Sequence, residues 1–164
     1  MKHWPLALSL LAAGTPAVAQ QPAVRGFALV EAGIYTRKIV SSERDSNGVV
    51  QNIISDPQLV AGTRRIPAKL GVSFGFRFLI TGTPAGAKVT LRKEIRYPAP
   101  GARPPGSTSP LTLSSASTDV PLNRVRFTGY TLAEPWELIP GSWVISLWLG
   151  DRRLSEQQFT VVSE

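Results

Sequence analysis

Val72-Ser73-Phe74-Gly75-Phe76-Arg77-Phe78-Leu79-Ile80 places a large apolar residue at every second position, with Ser73, Gly75 and Arg77 between them. A period of two is that of a β-strand with one buried face, whereas an amphipathic helix repeats its apolar residues three and four apart. The next residues, Thr81-Gly82-Thr83-Pro84-Ala85-Gly86, are rich in turn formers. Lys88 to Tyr97 then resumes the alternation with Val89, Leu91, Ile95 and Tyr97, while Lys93 interrupts it on the same parity. Two apolar-faced strands joined by a short turn predict an antiparallel pair.

Working outward, Phe27 to Ile39 and Gln58 to Ile66 read as further strands. The polar segment Ser41 to Gly48 between them ends in Asn47-Gly48, a strong hairpin-turn dipeptide. Pro98 to Pro110 is dense in proline, which has no amide hydrogen for a sheet ladder, so it predicts a surface loop or an edge covering. Leu111 to Val120 and Val125 to Leu132 are weaker strands, and Ala133 to Leu138 has room for one short helical turn.

The C-terminal segment predicts a hairpin. Pro140-Gly141 turns into a strand with Trp143, Ile145, Leu147 and Leu149 on one face, and Gly150-Asp151 suits a tight turn. On the return, Leu154 is even-numbered but Phe159 and Val161 are odd. A regular ladder would put Leu154 inside and turn Phe159 out, so a one-residue bulge is expected near Glu156 to Gln158.

Seven or eight short strands with almost no helix predict an all-β fold, an antiparallel β-sandwich of immunoglobulin-like type, with a small closed barrel as the alternative. With no cysteine to join the sheets, aromatic packing has to fill the interior. Phe74, Phe76, Phe78, Trp136, Trp143 and Phe159 are the expected core, while Trp148 has the opposite parity to Trp143 and should lie on the far face or at an interface.

The N-terminus reads as a secretory signal. Lys2 and His3 make a short basic region, Trp4 to Ala13 is apolar but too short to span a bilayer, and Ala17-Val18-Ala19 is a small-x-small cleavage site. Residues 1–19 are therefore expected to be removed, leaving residues 20–164 as a single domain of roughly 145 residues, enough to bury about two thirds of its unfolded surface. No later run is long and apolar enough for a transmembrane span, so a periplasmic or extracellular location is expected.

Cleavage would also remove His3, the only histidine of a chain with no cysteine. Ser-His and Cys-His catalysis then lack their base or nucleophile. Zinc and iron sites built on these side chains are likewise excluded. No Ser-x-x-Lys spacing, Asp-x-Asp-x-Asp-Gly loop, Gly-x-Gly-x-x-Gly or Walker-type loop is present, and no cofactor is expected.

Lys and Arg number 18 against 11 Asp and Glu, a formal charge of +7 that becomes +6 once Lys2 is removed. Such a field attracts polyanions. The bases are spread along the chain, and Arg64, Arg65, Arg92, Arg96, Arg124, Arg126, Arg152 and Arg153 are the candidate interaction surface, with a solvated mixed-charge surface as the plainer reading. For an exported protein the fitting partners are an envelope protein, an acidic glycan or lipopolysaccharide, rather than nucleic acid.

Two carboxylates bracket Trp136. Glu134 and Glu137 are the one candidate pair for glycan hydrolysis, which requires carboxyl groups about 5–10 Å apart in an open pocket and not neutralised by arginine. The plainer reading has them bonding backbone amides or pairing with Arg124 or Arg126. Glu31, on the apolar face of the first strand, needs an arginine partner for the same reason that any half-buried charge does.

Several segments together resemble a family of exported bacterial proteins known as domain of unknown function 3859. They are Gly33-Ile34-Tyr35, Thr63-Arg64-Arg65-Ile66-Pro67-Ala68, Gly71 to Phe78, Glu134-Pro135-Trp136-Glu137-Leu138, Pro140-Gly141-Ser142-Trp143 and Leu154 to Phe159. The resemblance implies a single-domain exported protein and carries no activity, cofactor or catalytic residue. The function expected is a non-enzymatic, immunoglobulin-like binding or assembly module of the bacterial envelope, with the carboxylate-dependent hydrolase as the alternative.

Overall fold

A computed structural model describes residues 21–46 and 48–163, so the expected signal segment lies outside the described residues. Among the described residues, nine strands form two sheets. The first has the order β2(Val50–Ala61), β1(Ala23–Arg44), β4(Ser73–Thr83), β7(Val125–Thr131). The second has the order β3(Arg65–Pro67), β9(Arg152–Val162), β8(Gly141–Leu149), β5(Lys88–Arg96), β6(Leu113–Pro121). All pairs are antiparallel except the short β3–β9 pair, and the two separate sheets make this a sandwich rather than a closed barrel.

The alternation in β4 does what its period requires. Phe74, Phe76, Phe78 and Ile80 are 0–2% exposed and face the second sheet. The expected pairing of β4 with β5 is corrected, because the two strands lie in different sheets. Both edges of β4 are taken by β1 and β7, so β5 covers its face instead of its edge, with Val89, Leu91 and Ile95 in the same core. A period of two identifies the buried face of a strand but says nothing about which neighbour pairs with it. The crossing segment is anchored by Gly86 N to Leu122 O and Leu122 N to Ala87 O.

Other strand boundaries differ from the sequence reading as well. The polar residues Ser41–Arg44 continue β1, and the hairpin closes through Asp45 to Val49, with Gly48 at φ +81° and its amide bonded to Asp45 O at 3.0 Å. The strand expected at Gln58 to Ile66 splits at Gly62-Thr63-Arg64. β2 ends at Ala61 on one sheet, and β3 starts at Arg65 on the other. Pro57 is tolerated in β2 because that strand is a sheet edge.

The C-terminal bulge exists, but at Leu154. Trp148 faces Arg153 and Leu147 faces Ser155, so Leu154 is the extra residue, and the ladder is regular from Ser155 to Val161. The slip comes right after the turn because Ser155, Phe159 and Val161 must all take the inner parity that Trp143, Ile145 and Leu147 set.

Trp143 is the centre of the interior. Its ring lies 4.9 Å from Tyr97, 5.0 Å from Tyr130 and 6.0 Å from Phe74, and Phe74 is 5.2 Å from Phe159. The indole N–H of Trp143 donates to Ile139 O at 3.0 Å. This cluster joins the sheets where no disulfide can, since the chain has no cysteine. Trp136 is only partly buried, because the single 3-10 turn Pro135–Glu137 that carries it caps the end of the sandwich instead of entering it. Pro98 to Pro110 is irregular apart from the Ala102–Leu111 bridge, and it covers the sheet end with Pro98 and Pro104 buried.

Candidate binding surfaces

The acidic pair does not form an open catalytic site. Glu137 is fully buried, accepting hydrogen bonds from Tyr130 Oη at 2.6 Å, Ala133 N at 2.6 Å and Glu134 N at 2.8 Å. Burial pushes its carboxyl above the usual carboxylate range, against the pull of those donors. Glu134 points away into an ion pair with Arg44 at 2.8 Å. One acid thus ties the 3-10 turn to β7, and the other ties it to the β1–β2 hairpin. Neither Glu134 nor Glu137 lines the cleft between the sheets or the hollow between the β1–β2 hairpin and the proline-rich loop. Glu31 pairs with Arg77 at 3.4 Å.

The arginines divide into separate groups. Arg64 reaches over the edge at β3, its guanidinium 5.1 Å from the Phe159 ring and bonded to Gln157 Oε1 at 2.7 Å, while Arg65 beside it is exposed. Arg124 precedes β7, and Arg152 leaves the β8–β9 turn, both exposed. Arg126 stands opposite Phe78 and so takes the inner parity of β7. The eight candidates therefore occupy two sheets, two edges and a turn.

One group is organised. Ser117, Arg92, Trp148 and Arg153 are cross-strand neighbours on β6, β5, β8 and β9, forming a row on the outer face of the five-stranded sheet. Arg92 lies 5.1 Å from the Trp148 ring centre and Arg153 5.7 Å, within cation–π range. The adjacent row, Ser115, Glu94, Ser146 and Glu156, supplies the counter-charges. Glu94 pairs with Arg92, Glu156 pairs with Arg153 at 2.6 Å, and Arg96 is in the row beyond. Parity alone gives Trp148 the far face or an interface, but its arginine neighbours depend on register and strand order, which local sequence does not contain.

A cleft between the sheets was missed. It lies where the edge strands β7 and β6 face each other, and it is lined by Lys93, Arg126, Thr118 and Thr128 above Phe78, Leu91 and Leu147. The signal for it was Lys93, the residue that broke the alternation of β5. No three His, Cys, Asp or Glu residues cluster as metal ligands among the described residues, and no helix among them is long and apolar enough to cross a membrane.

Compared with known proteins, residues 23–161 match the model of a family described as a domain of unknown function (DUF3859). No curated protein matches the chain. Among solved structures, an immunoglobulin-like protein from Pseudomonas aeruginosa is similar at a TM-score of 0.61 and 24% identity, over 87% of this chain and 98% of that one. At that identity the likeness shows the fold alone: this sandwich is immunoglobulin-like.

Proposed function

We propose, for a chain that belongs to the DUF3859 family, that it is an exported, non-catalytic binding or assembly module of the bacterial envelope that recognises an acidic glycan, lipopolysaccharide or the acidic surface of an envelope protein. The observation that carries this reading is the Arg92–Trp148–Arg153 row, held on three adjacent strands of the outer face. Arginine and tryptophan are the residue types enriched at recognition surfaces, and here the ring holds two guanidinium groups in place before a partner arrives. The partner would take over these guanidinium groups from Glu94 and Glu156, exchanging two separate ion pairs, one part-buried and one exposed, for a multivalent contact.

Retention on heparin and on immobilised lipopolysaccharide at rising salt tests this. The native protein should elute well above about 0.15 M salt, and Arg92→Ser with Arg153→Ser should elute earlier. Elution of the native protein at or below that salt would leave the charge as solvation only. Export has its own test, since the protein recovered from a periplasmic or culture fraction should begin at Gln20.

A further inference from the structure

We propose that the inter-sheet cleft beneath β6 and β7 is a second, separate binding site, for a small amphiphilic anion: an apolar chain ending in a carboxylate or phosphate. The cavity measures about 390 Å³, within the range of small-molecule sites.

Its existence follows from what β5, β6 and β7 carry on their inner faces. Arg126 and Thr128 lie opposite Phe78 and Phe76, so they point from β7 toward the second sheet. On that sheet Lys93 lies between Ala116 and Leu147, and Thr118 lies beside Leu91. These are positions where a sandwich normally interdigitates large apolar side chains. Here small and hydrophilic residues leave the sheets unfilled above the buried Phe78, Leu91 and Leu147, and the part-exposed Val50, Ala116 and Phe127 give the cavity an apolar wall.

The chemistry of the wall selects the ligand. Lys93 projects from the core face of β5 and forms no ion pair within 4 Å with any described carboxylate. Lys93 is part-buried there, so its ammonium is incompletely hydrated. Burial draws its pKa below the ordinary lysine value, and the Asp45 carboxylate on the β1–β2 hairpin offsets this only in part. Glu43 lines the cavity too, so Lys93 and Arg126 face one carboxylate on the wall itself. An anionic head would complete the pairing of Lys93 and Arg126, with the hydroxyls of Thr118 and Thr128 as further donors. Its apolar body would cover Val50, Ala116 and Phe127. A purely hydrophilic anion would leave that wall wet, and a neutral chain would bring Lys93 no anion.

Backbone amide NMR of the purified protein tests this with octanoate, octyl phosphate, 1-octanol and inorganic phosphate. Octanoate or octyl phosphate should give saturable shifts along residues 91–93, 116–120 and 126–130, and whichever binds tighter assigns the head group. The alcohol and inorganic phosphate should each bind at least about tenfold more weakly. Lys93→Met and Arg126→Gln should each weaken binding about tenfold, and Ala116→Phe, which fills the space, should abolish it. Equal binding of octanol, equal binding of inorganic phosphate, or shifts confined to the Trp148 face would each overturn the proposal. Should Lys93→Met fail to fold, Arg126→Gln and Ala116→Phe decide the matter by the same criteria. The row at Trp148 has no part in this site, so failure on the heparin column and failure here are distinguishable.

Discussion

Tyr130 donates its hydroxyl hydrogen to Glu137 Oε1 across 2.6 Å, joining β7 to the 3-10 turn at a carboxylate that solvent does not reach. One member of the candidate Glu134–Glu137 pair is thereby tied into the fold. Its lone pairs are taken by one phenol and two backbone amides. The same contact explains why the segment Glu134 to Leu138 holds one fixed turn at the end of the sandwich.

Removing that donor tests the assignment. Tyr130→Phe keeps the ring against Trp143 and Phe74 but leaves Glu137 one hydrogen bond short, which should cost about 1–3 kcal/mol of stability. Denaturant unfolding reads the change directly. A variant as stable as the native protein would mean that the bond contributes nothing.

Glu137 also sets a pH dependence. Its folded pKa lies above the unfolded value, so between the two the folded state binds more protons than the unfolded state. Stability from this group is complete below the ordinary carboxylate value of 4.5 and is lost as pH rises through the raised folded pKa. Relative to Glu137→Gln, which cannot ionise, the native protein should therefore lose stability as pH rises above 4.5 and then level off. A difference that grew in the native protein's favour over that window would reverse the sign and refute the shift.

Trp143 should be the most costly single residue to remove. Trp143→Ala would break contacts with Tyr97, Tyr130 and Phe74 at once and leave Ile139 O without its donor. A loss of about 3–5 kcal/mol is expected, read as a drop in denaturant midpoint. Trp136→Ala, at a partly buried position on the turn, should cost clearly less. Equal losses would contradict the placement of the two rings.

Gly75 has its own steric reason. It is in register with Gly33 on β1 and Gly129 on β7, and a Cβ at Gly75 would collide with Thr128 O and lie 2.5 Å from Gly129 Cα. Gly75→Ala should therefore destabilise by about 1–3 kcal/mol, through forced displacement of β7 rather than loss of any contact. Gly62→Ala, where an added Cβ meets nothing within 4 Å, is the matched control and should be close to neutral. Thermal unfolding of the pair separates the two.

Much of the architecture was legible locally. The buried faces of β4, β5 and β8 follow from their alternation, and the turn at Gly48 from its turn chemistry. The 3-10 turn lies inside the segment given one, and the conflict of parity between Leu154 and Phe159 announced a bulge. What local patterns could not supply was which element lies next to which. β4 and β5 were paired because they are consecutive, yet the sheet edges of β4 belong to β1 and β7. Glu31 does find an arginine, Arg77, but the partner expected for Glu134 failed for the same reason as the strand pairing: Glu134 binds Arg44, ninety positions away in the chain, instead of the nearer Arg124 or Arg126.

The sequence by itself determined that this is a cysteine-free β protein whose aromatic residues fill an interior, because side-chain period and composition act within a strand. Only the tertiary structure decided that Arg92, Trp148 and Arg153 form one row, that Glu137 is sealed from solvent, and that Lys93 faces a cleft. Each of these depends on strand order, register and the opposing sheet. Those are set by long-range pairing and by how two faces fill the space between them, and no single segment encodes either.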